Sequence, residues 1–376
     1  VLSDKCFVCH GPDTRKKDFL RLDSFDGATR NLGGYKAIDT SALANSEIII
    51  RINDADDPMP PEDAEKQLTA DERKLIERWI NQGGNYAKHW AFVPPKKPTP
   101  PSKGHPIDAF IEKQFPEGTN FAATAEKSTL ARRLSLVLTG LPPEPEFLET
   151  YLSDEDTNAY ERFVERLLAD PHYGEHQARY WLDAVRYGDT HGLHLDNKRG
   201  IYPYRDWVVR ALNNNMPLDQ FIEWQLAGDL QPKPTTEQLI ATGFVRMNPS
   251  TAEGGVIPAE FQAKNNFDRT ETLGTVFLGM TMLCSRCHTH KYDPITHTEY
   301  YELMAFFNST AEGPLDGNKY EYAPVIKVPR DQVTWNDWQR LQSERDIMLA
   351  EAGLIFQNPQ GIQTEAEQKW NKADKN

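Results

Sequence analysis

Between residues 107 and about 308, apolar side chains recur at i, i+3 and i+4, the spacing that lines one face of an α-helix. The runs are Thr129–Leu138, Tyr160–Leu168, Tyr173–Tyr187, Tyr204–Asn213, Leu218–Ala227 and Glu260–Leu283. They are separated by Gly140-Leu141-Pro142-Pro143, Asp170-Pro171 and Met216-Pro217, which interrupt helices because proline has no amide hydrogen to donate. No alternating apolar–polar run long enough for a strand occurs, so the pattern predicts a larger, mostly α domain over 107–310. Its last helix is expected to run from Glu260 straight into Cys284.

The first 86 residues are patterned on a smaller scale. A polar, glycine-bearing stretch leads to a short apolar helix over Glu47–Ile52. A second helix is announced by Thr69-Ala70-Asp71-Glu72, in which Thr69 caps and Glu72 reaches back. Leu75, Ile76, Trp79 and Ile80 follow at helical spacing, and Gly83-Gly84 closes the helix. Residues 87–106 hold six prolines and four lysines, a composition for an extended linker. His89 and His105, at its ends, are expected to be solvated. Residues 311–376 read as an extended segment over Tyr322–Pro329, an amphipathic helix over Trp335–Ala352, and a polar tail.

All four cysteines of the chain fall in two C-x-x-C-H runs, Cys6-Phe7-Val8-Cys9-His10 and Cys284-Ser285-Arg286-Cys287-His288. This run is the attachment signature of a c-type haem. Two thiols three positions apart on one helical turn can each add to a porphyrin vinyl group, and the next histidine is carried beneath the ring to the iron. The runs therefore predict two covalently attached haem c groups. Other readings are a four-cysteine zinc site, a thioredoxin-like redox pair, or two structural disulfides. Zinc pairs usually stand about 15–20 residues apart and need no histidine at once after them. A redox pair does not account for the duplication, and so short a disulfide loop constrains little chain entropy.

Met59, in Asp57-Pro58-Met59-Pro60-Pro61, stands about fifty residues after the first run, where small cytochromes carry a thioether ligand. Flanking prolines stiffen the loop. Met59 is the expected second axial ligand of the first haem, opposite His10. The fold class expected is thus mostly α: a small class I-like cytochrome c domain over 1–86, then the larger helical haem-containing domain.

Opposite His288 the candidates are His191 first, His194 second, or no protein ligand. Both histidines lie in the polar loop Asp189-Thr190-His191-Gly192-Leu193-His194-Leu195-Asp196. His290 stands too near His288 to swing to the far side and is expected to cap a turn with Lys291 and Asp293. His297 opens a helix. Met247, Met280 and Met282 are expected in the core. Asp189, Asp196, Asp229 and Arg205 form either a set of structural ion pairs or, at an open haem, proton-transfer groups.

Hydrophobic content of 39% and a formal charge of −14 describe an acidic chain and argue against nucleic acid as a partner. The acidic balance suits a basic redox partner. No apolar run reaches the roughly 20 residues that span a bilayer. Val1 begins almost on top of the first run, so the chain is expected to start inside a mature protein. Because covalent haem attachment takes place outside the cytoplasmic membrane, a periplasmic or otherwise exported location is expected.

Cys6-Phe-Val-Cys-His-Gly-Pro-Asp13 resembles the planctomycete-type cytochrome c domain. Tyr180-Trp-Leu-Asp-Ala-Val-Arg-Tyr-Gly-Asp-Thr-His-Gly192, Tyr204-Arg-Asp-Trp-Val208, Asp219-Gln-Phe221, Gln225-Leu-Ala-Gly-Asp229 and Cys284-Ser-Arg-Cys-His-Thr-His-Lys-Tyr-Asp-Pro294 resemble the companion domain that follows it in planctomycete and verrucomicrobial exported proteins. With Tyr300-Tyr301, these stretches cover roughly residues 1–310. The resemblance implies haem attachment, export, further domains downstream and a loose association with polysaccharide degradation. Three functions remain: a dihaem electron carrier, a haem enzyme (peroxidase-like, or the electron-accepting part of a sugar-oxidising system), and a carbohydrate-binding scaffold with structural haems.

Overall fold

A computed structural model of the protein describes residues 1–14, 20–193, 195–329 and 332–357, and for the last helix the side chains of 333–353. Among the described residues the fold is helical with no β-sheet; only two isolated bridges occur, Thr190 with Lys198 and Gly192 with Ser250.

The N-terminal region is built from α1 (Leu2–Lys5), α2 (Phe7–His10), α3 (Phe25–Thr29), α4 (Glu47–Asn53) and α5 (Ala70–Asn81). The capping box forms as the pattern predicts: Thr69 Oγ1 accepts from the Glu72 amide and Glu72 accepts from the Thr69 amide. Ile76 and Ile80 of α5 bury against Ile48 and Ile52 of α4, with Leu22, Ala28, Ala37, Ile38 and Leu68 completing the core. Leu75, one position before Ile76, faces outward instead. Trp79 stands edge-on to Tyr86 at 5.2 Å and donates to the Asn85 carbonyl. Residues 93–105 form no helix and are mostly exposed.

After α6 (Pro106–Glu112), helices α7 (Lys127–Leu138), α8 (Pro145–Ser153) and α9 (Ala159–Leu168) close on a small core where Phe147 stacks on Phe163 at 4.4 Å. The main core lies among α10 (Pro171–Ala184), α11 (Tyr202–Asn213), α12 (Leu218–Ala227) and α13 (Thr236–Ala241). Two of its aromatic side chains keep their polar tips paired, as burial favours. Trp181 Nε1 donates to the Tyr204 hydroxyl at 3.0 Å, and that hydroxyl donates to Gln225 at 2.6 Å.

The next helix, α14 (Pro258–Leu278), ends before Cys284, earlier than its apolar pattern suggests. Gly279 takes φ +62°, a left-handed conformation natural to glycine, and stops the helix there. The chain then folds back, so that Met282 packs on Gly274, where a Cβ would lie 2.2 Å from the Met282 sulfur. Cys284 consequently sits on a separate 3-10 turn, Leu283–Arg286, rather than on the helix. The helix α15 (His297–Phe307) follows, capped by Thr296 and Glu299, and its Tyr300 joins Met280, Met282 and Ile295 in a fourth core.

Residues 312–324 return to the helical region. Glu312 pairs with Arg246 at 3.2 Å and with the buried Arg269 at 2.6 Å. Trp335, at the start of α16 (Gln332–Gln357), is buried in the main core under Arg210. Most other described side chains of α16 are exposed.

Candidate haem-attachment sites

The first C-x-x-C-H run straddles α1 and α2, where the His10 amide donates to the Cys6 carbonyl at 2.9 Å. Cys6, Cys9 and His10 line a cleft of ≈ 1340 Å³ together with Leu20, Leu22, Ile48, Ile52 and Met59. Small-molecule pockets usually hold about 300–1,000 Å³, so this one has room for a porphyrin-sized group. His10 Nδ1 lies 3.3 Å from the Leu20 carbonyl. A carbonyl only accepts, so Nδ1 carries the hydrogen and Nε2 the lone pair, the arrangement typical of a metal-ligating histidine. Burial holds the His10 pKa below its ordinary value, against the smaller opposing effect of that hydrogen bond. Burial also pushes the Cys6 thiol up to about 11.

Met59 forms part of the same cleft, and its loop is tied down. Its amide donates to the Arg51 carbonyl at 3.0 Å. The Arg51 guanidinium in turn pairs with Glu47 at 2.8 Å and with Asp57. Asp54 accepts from the amides of Asp56 and Asp57, which shapes the turn before Pro58. His10 and Met59 therefore share one apolar cleft with two free thiols, a donor set that fits a covalently held haem.

The second run is more open. Cys284, Cys287 and His288 are all exposed, and both thiols are free. The His288 amide lies 3.3 Å from the Cys284 carbonyl, closing the turn. His288 Nδ1 is 2.8 Å from the Thr289 carbonyl, so here too the hydrogen is on Nδ1 and the lone pair on Nε2. Thiols and imidazole again fit thioether attachment and one axial bond. Among the described residues, no three His, Cys, Asp or Glu side chains gather as a metal cage. The two cysteine pairs thus do not form the four-cysteine zinc site weighed above.

The fold brings the segments flanking the two runs into contact. Asp13 accepts both the amide hydrogen of Thr289, at 3.1 Å, and its hydroxyl hydrogen. Ser3 donates to the Lys291 carbonyl at 2.6 Å. Asp4 receives Lys291 at 2.7 Å and Lys66 at 2.8 Å, and these ammonium groups hold its carboxyl well below the usual carboxylate range. Asp293 lies 3.4 Å from His89, which is therefore not simply solvated.

His191 stands elsewhere. It is 2% exposed, with Nε2 2.9 Å from the Lys319 carbonyl and Nδ1 3.0 Å from Ser250 and 3.2 Å from Asp316. Both ring nitrogens are engaged, so in this structure neither faces an iron beside Cys287. His194 lies outside the described residues. His290 accepts from the Asp293 amide at 2.7 Å and caps a turn, as expected. His297 is the first residue of α15 and packs against Tyr301. Met247, Met280 and Met282 are buried.

Of the groups expected to act together, Arg205 and Asp189 lie close enough for the Asp189 charge to raise the Arg205 pKa. Arg205 pairs with its neighbour Asp206, Asp189 accepts from Tyr187, and Asp196 accepts from the Gly192 amide. The sequence reading missed Ser250, Asp316 and Lys319 around His191, and Asp13 facing Thr289. No spacing within the chain signals either contact. Of these groups only Asp13 and Thr289 fall inside stretches already marked by the runs.

Two family profiles match the chain: PSCyt2, described as a protein of unknown function (DUF1549), over residues 106–312, and PSCyt1, planctomycete cytochrome C, over residues 6–63. With more than half of its length matched by the first, the chain belongs to the planctomycete-type cytochrome c domain proteins. This membership and the thiol–histidine sets assign it a haem-related role. No curated protein and no solved structure matches it. No helix among the described residues is long and apolar enough to cross a membrane.

Proposed function

We propose that the protein is an exported dihaem c-type cytochrome that passes electrons between two covalently held haems and an external redox partner. The observation that supports this best is the direct contact between the segments flanking two complete attachment motifs. In this reading Cys6 and Cys9 form thioethers in the first cleft, and His10 and Met59 supply the axial bonds. Cys284 and Cys287 form the second pair of thioethers, and His288 supplies an axial bond. Bound haem would supply a one-electron couple at each motif, with His/Met ligation giving the first the higher potential.

The residues divide the remaining work. Leu22, Ile48 and Ile52 give the first cleft its apolar wall, and Arg51 holds the Met59 loop against α4. His191 serves as a buried clamp joining the 188–200 loop to Ser250 and to the chain near Lys319, and stays outside the ligand set. The small domain takes residues 1–86 and the linker 87–106; the helical domain that follows includes the 312–335 return, given its ion pairs and the burial of Trp335. The acidic charge suits a basic partner.

The test is an alkaline pyridine spectrum of reduced protein with haem counted per chain, followed by Met59→Ala. Two covalent haems are expected, with the low-spin His/Met signature of one lost in Met59→Ala and the other haem undisturbed. A response of both haems, or of neither, would refute the ligand assignment. The exposure of the second motif supports one further reading, an open haem that binds a small molecule and acts as an enzyme. Cyanide binding to the oxidised protein would favour it, and a fully low-spin protein indifferent to cyanide would exclude it.

A further inference from the structure

We propose that Asp13 is the positioning residue that sets the rate of electron passage between the two motifs. This rests on the dihaem reading above. Asp13 lies three residues after His10, and its carboxylate receives both the amide and the hydroxyl hydrogen of Thr289, the residue next to His288. A path from His10 to His288 therefore runs along covalent bonds on both sides and crosses a single hydrogen-bonded step. The Thr289 hydroxyl is itself held in place. It accepts the backbone N–H of His297 at 3.2 Å, which leaves its own hydrogen for Asp13.

Two neighbouring contacts also join the segments: Ser3 donates one hydrogen bond to the Lys291 carbonyl, and Lys291 reaches Asp4 on a long, rotatable side chain, where salt screens the pair. A carboxylate on two donors of one residue is charge-assisted and fixed in direction. Arg21, paired with Asp23, also lies close enough to feel the Asp13 charge.

With haem bound at both motifs, His288 and His10 would each hold an iron, and the exchange between them would move one electron with no proton and no co-reactant. Electron tunnelling falls exponentially with the gap, so a small loss of register between the motifs slows it.

The experiment uses the full chain carrying both haems. The second haem is reduced by a photochemical pulse, and equilibration with the first is followed optically in wild type, Asp13→Ala, Asp13→Asn and Thr289→Val. Asp13→Ala should slow equilibration several-fold with both midpoint potentials unchanged. Asp13→Asn should restore it, because an amide oxygen can accept from the Thr289 N–H while the amide nitrogen donates to its hydroxyl. Thr289→Val, which keeps one of the two bonds, should fall between. An Asp13→Ala rate equal to wild type would overturn the assignment, as would an Asp13→Asn rate as slow as that of Asp13→Ala. Slowing fully accounted for by shifted potentials would also overturn it. A wild-type haem count of one per chain would instead sink the dihaem reading, and this proposal with it.

Discussion

The two attachment motifs carry the same five-residue pattern in opposite surroundings. The first is enclosed by its own small domain: Leu22, Ile48, Ile52 and Met59, all within 53 positions of Cys6, wall one cleft. The second sits exposed on a 3-10 turn at the foot of a larger helical region, and one of its nearest polar partners, Asp13, is 276 positions away. A short chain segment can make a complete site by enclosing it, whereas an open motif depends on what the tertiary fold sets against it. The first motif is therefore expected to be sensitive to its local core, and the second to long-range docking.

Exchanging each cysteine pair for serine probes this difference most directly. Cys6→Ser with Cys9→Ser should remove one haem per chain and lower the thermal stability of the N-terminal region, because an apolar cleft is left without its group. Cys284→Ser with Cys287→Ser should also remove one haem and leave that thermal transition where it was. Haem counting and calorimetry on the two variants check both halves; equal thermal losses would break the comparison.

The helical region should owe more to buried polar pairing than the N-terminal core does. Asp316 is 1% exposed, pairs with His191, and accepts from Ser250 and the Asn318 amide. Asp316→Ala removes an acceptor that these buried groups share, and leaving buried hydrogen-bonding groups short of a partner costs about 1–3 kcal/mol. A denaturant midpoint lowered at constant slope is the expected result, and a change within about 0.5 kcal/mol, as for ordinary surface sites, would show that the cluster contributes little.

The smallest effect concerns Asp4. Its folded pKa is depressed by Lys291 and Lys66, so its stabilising contribution is present above the unfolded carboxylate pKa and is lost only as pH falls through the lower folded value. Mild acid should leave the contact intact, whereas salt near 1 M, with a Debye length of about 3 Å, should loosen it. Asp4 likewise raises the Lys291 pKa. Asp4→Asn should therefore speed acylation of the Lys291 amine modestly, and an unchanged rate would remove Asp4 from the junction.

Much of the architecture was legible along the chain because it is local. The helix cap at Thr69, the apolar face of α5 and the breaks at Pro171 and Pro217 act within a few residues, and the local pattern reports them. Where pattern and structure part, a single backbone position decides. The apolar run from Glu260 continues to Leu283, but Gly279 in the left-handed region ends the helix and sends Met282 back onto Gly274.

Residue identity and spacing by themselves determined the mostly α class, the two attachment motifs with their six thiol and imidazole groups, and the Met59 candidate, because each rests on chemistry within one turn or one loop. Only the tertiary structure decided that His191 is engaged on both nitrogens by Ser250, Asp316 and Lys319, and that Asp13 meets Thr289. These are pairings between segments far apart in the chain. Such segments meet only when burial of separate cores brings them together, and no periodicity in either one records the encounter.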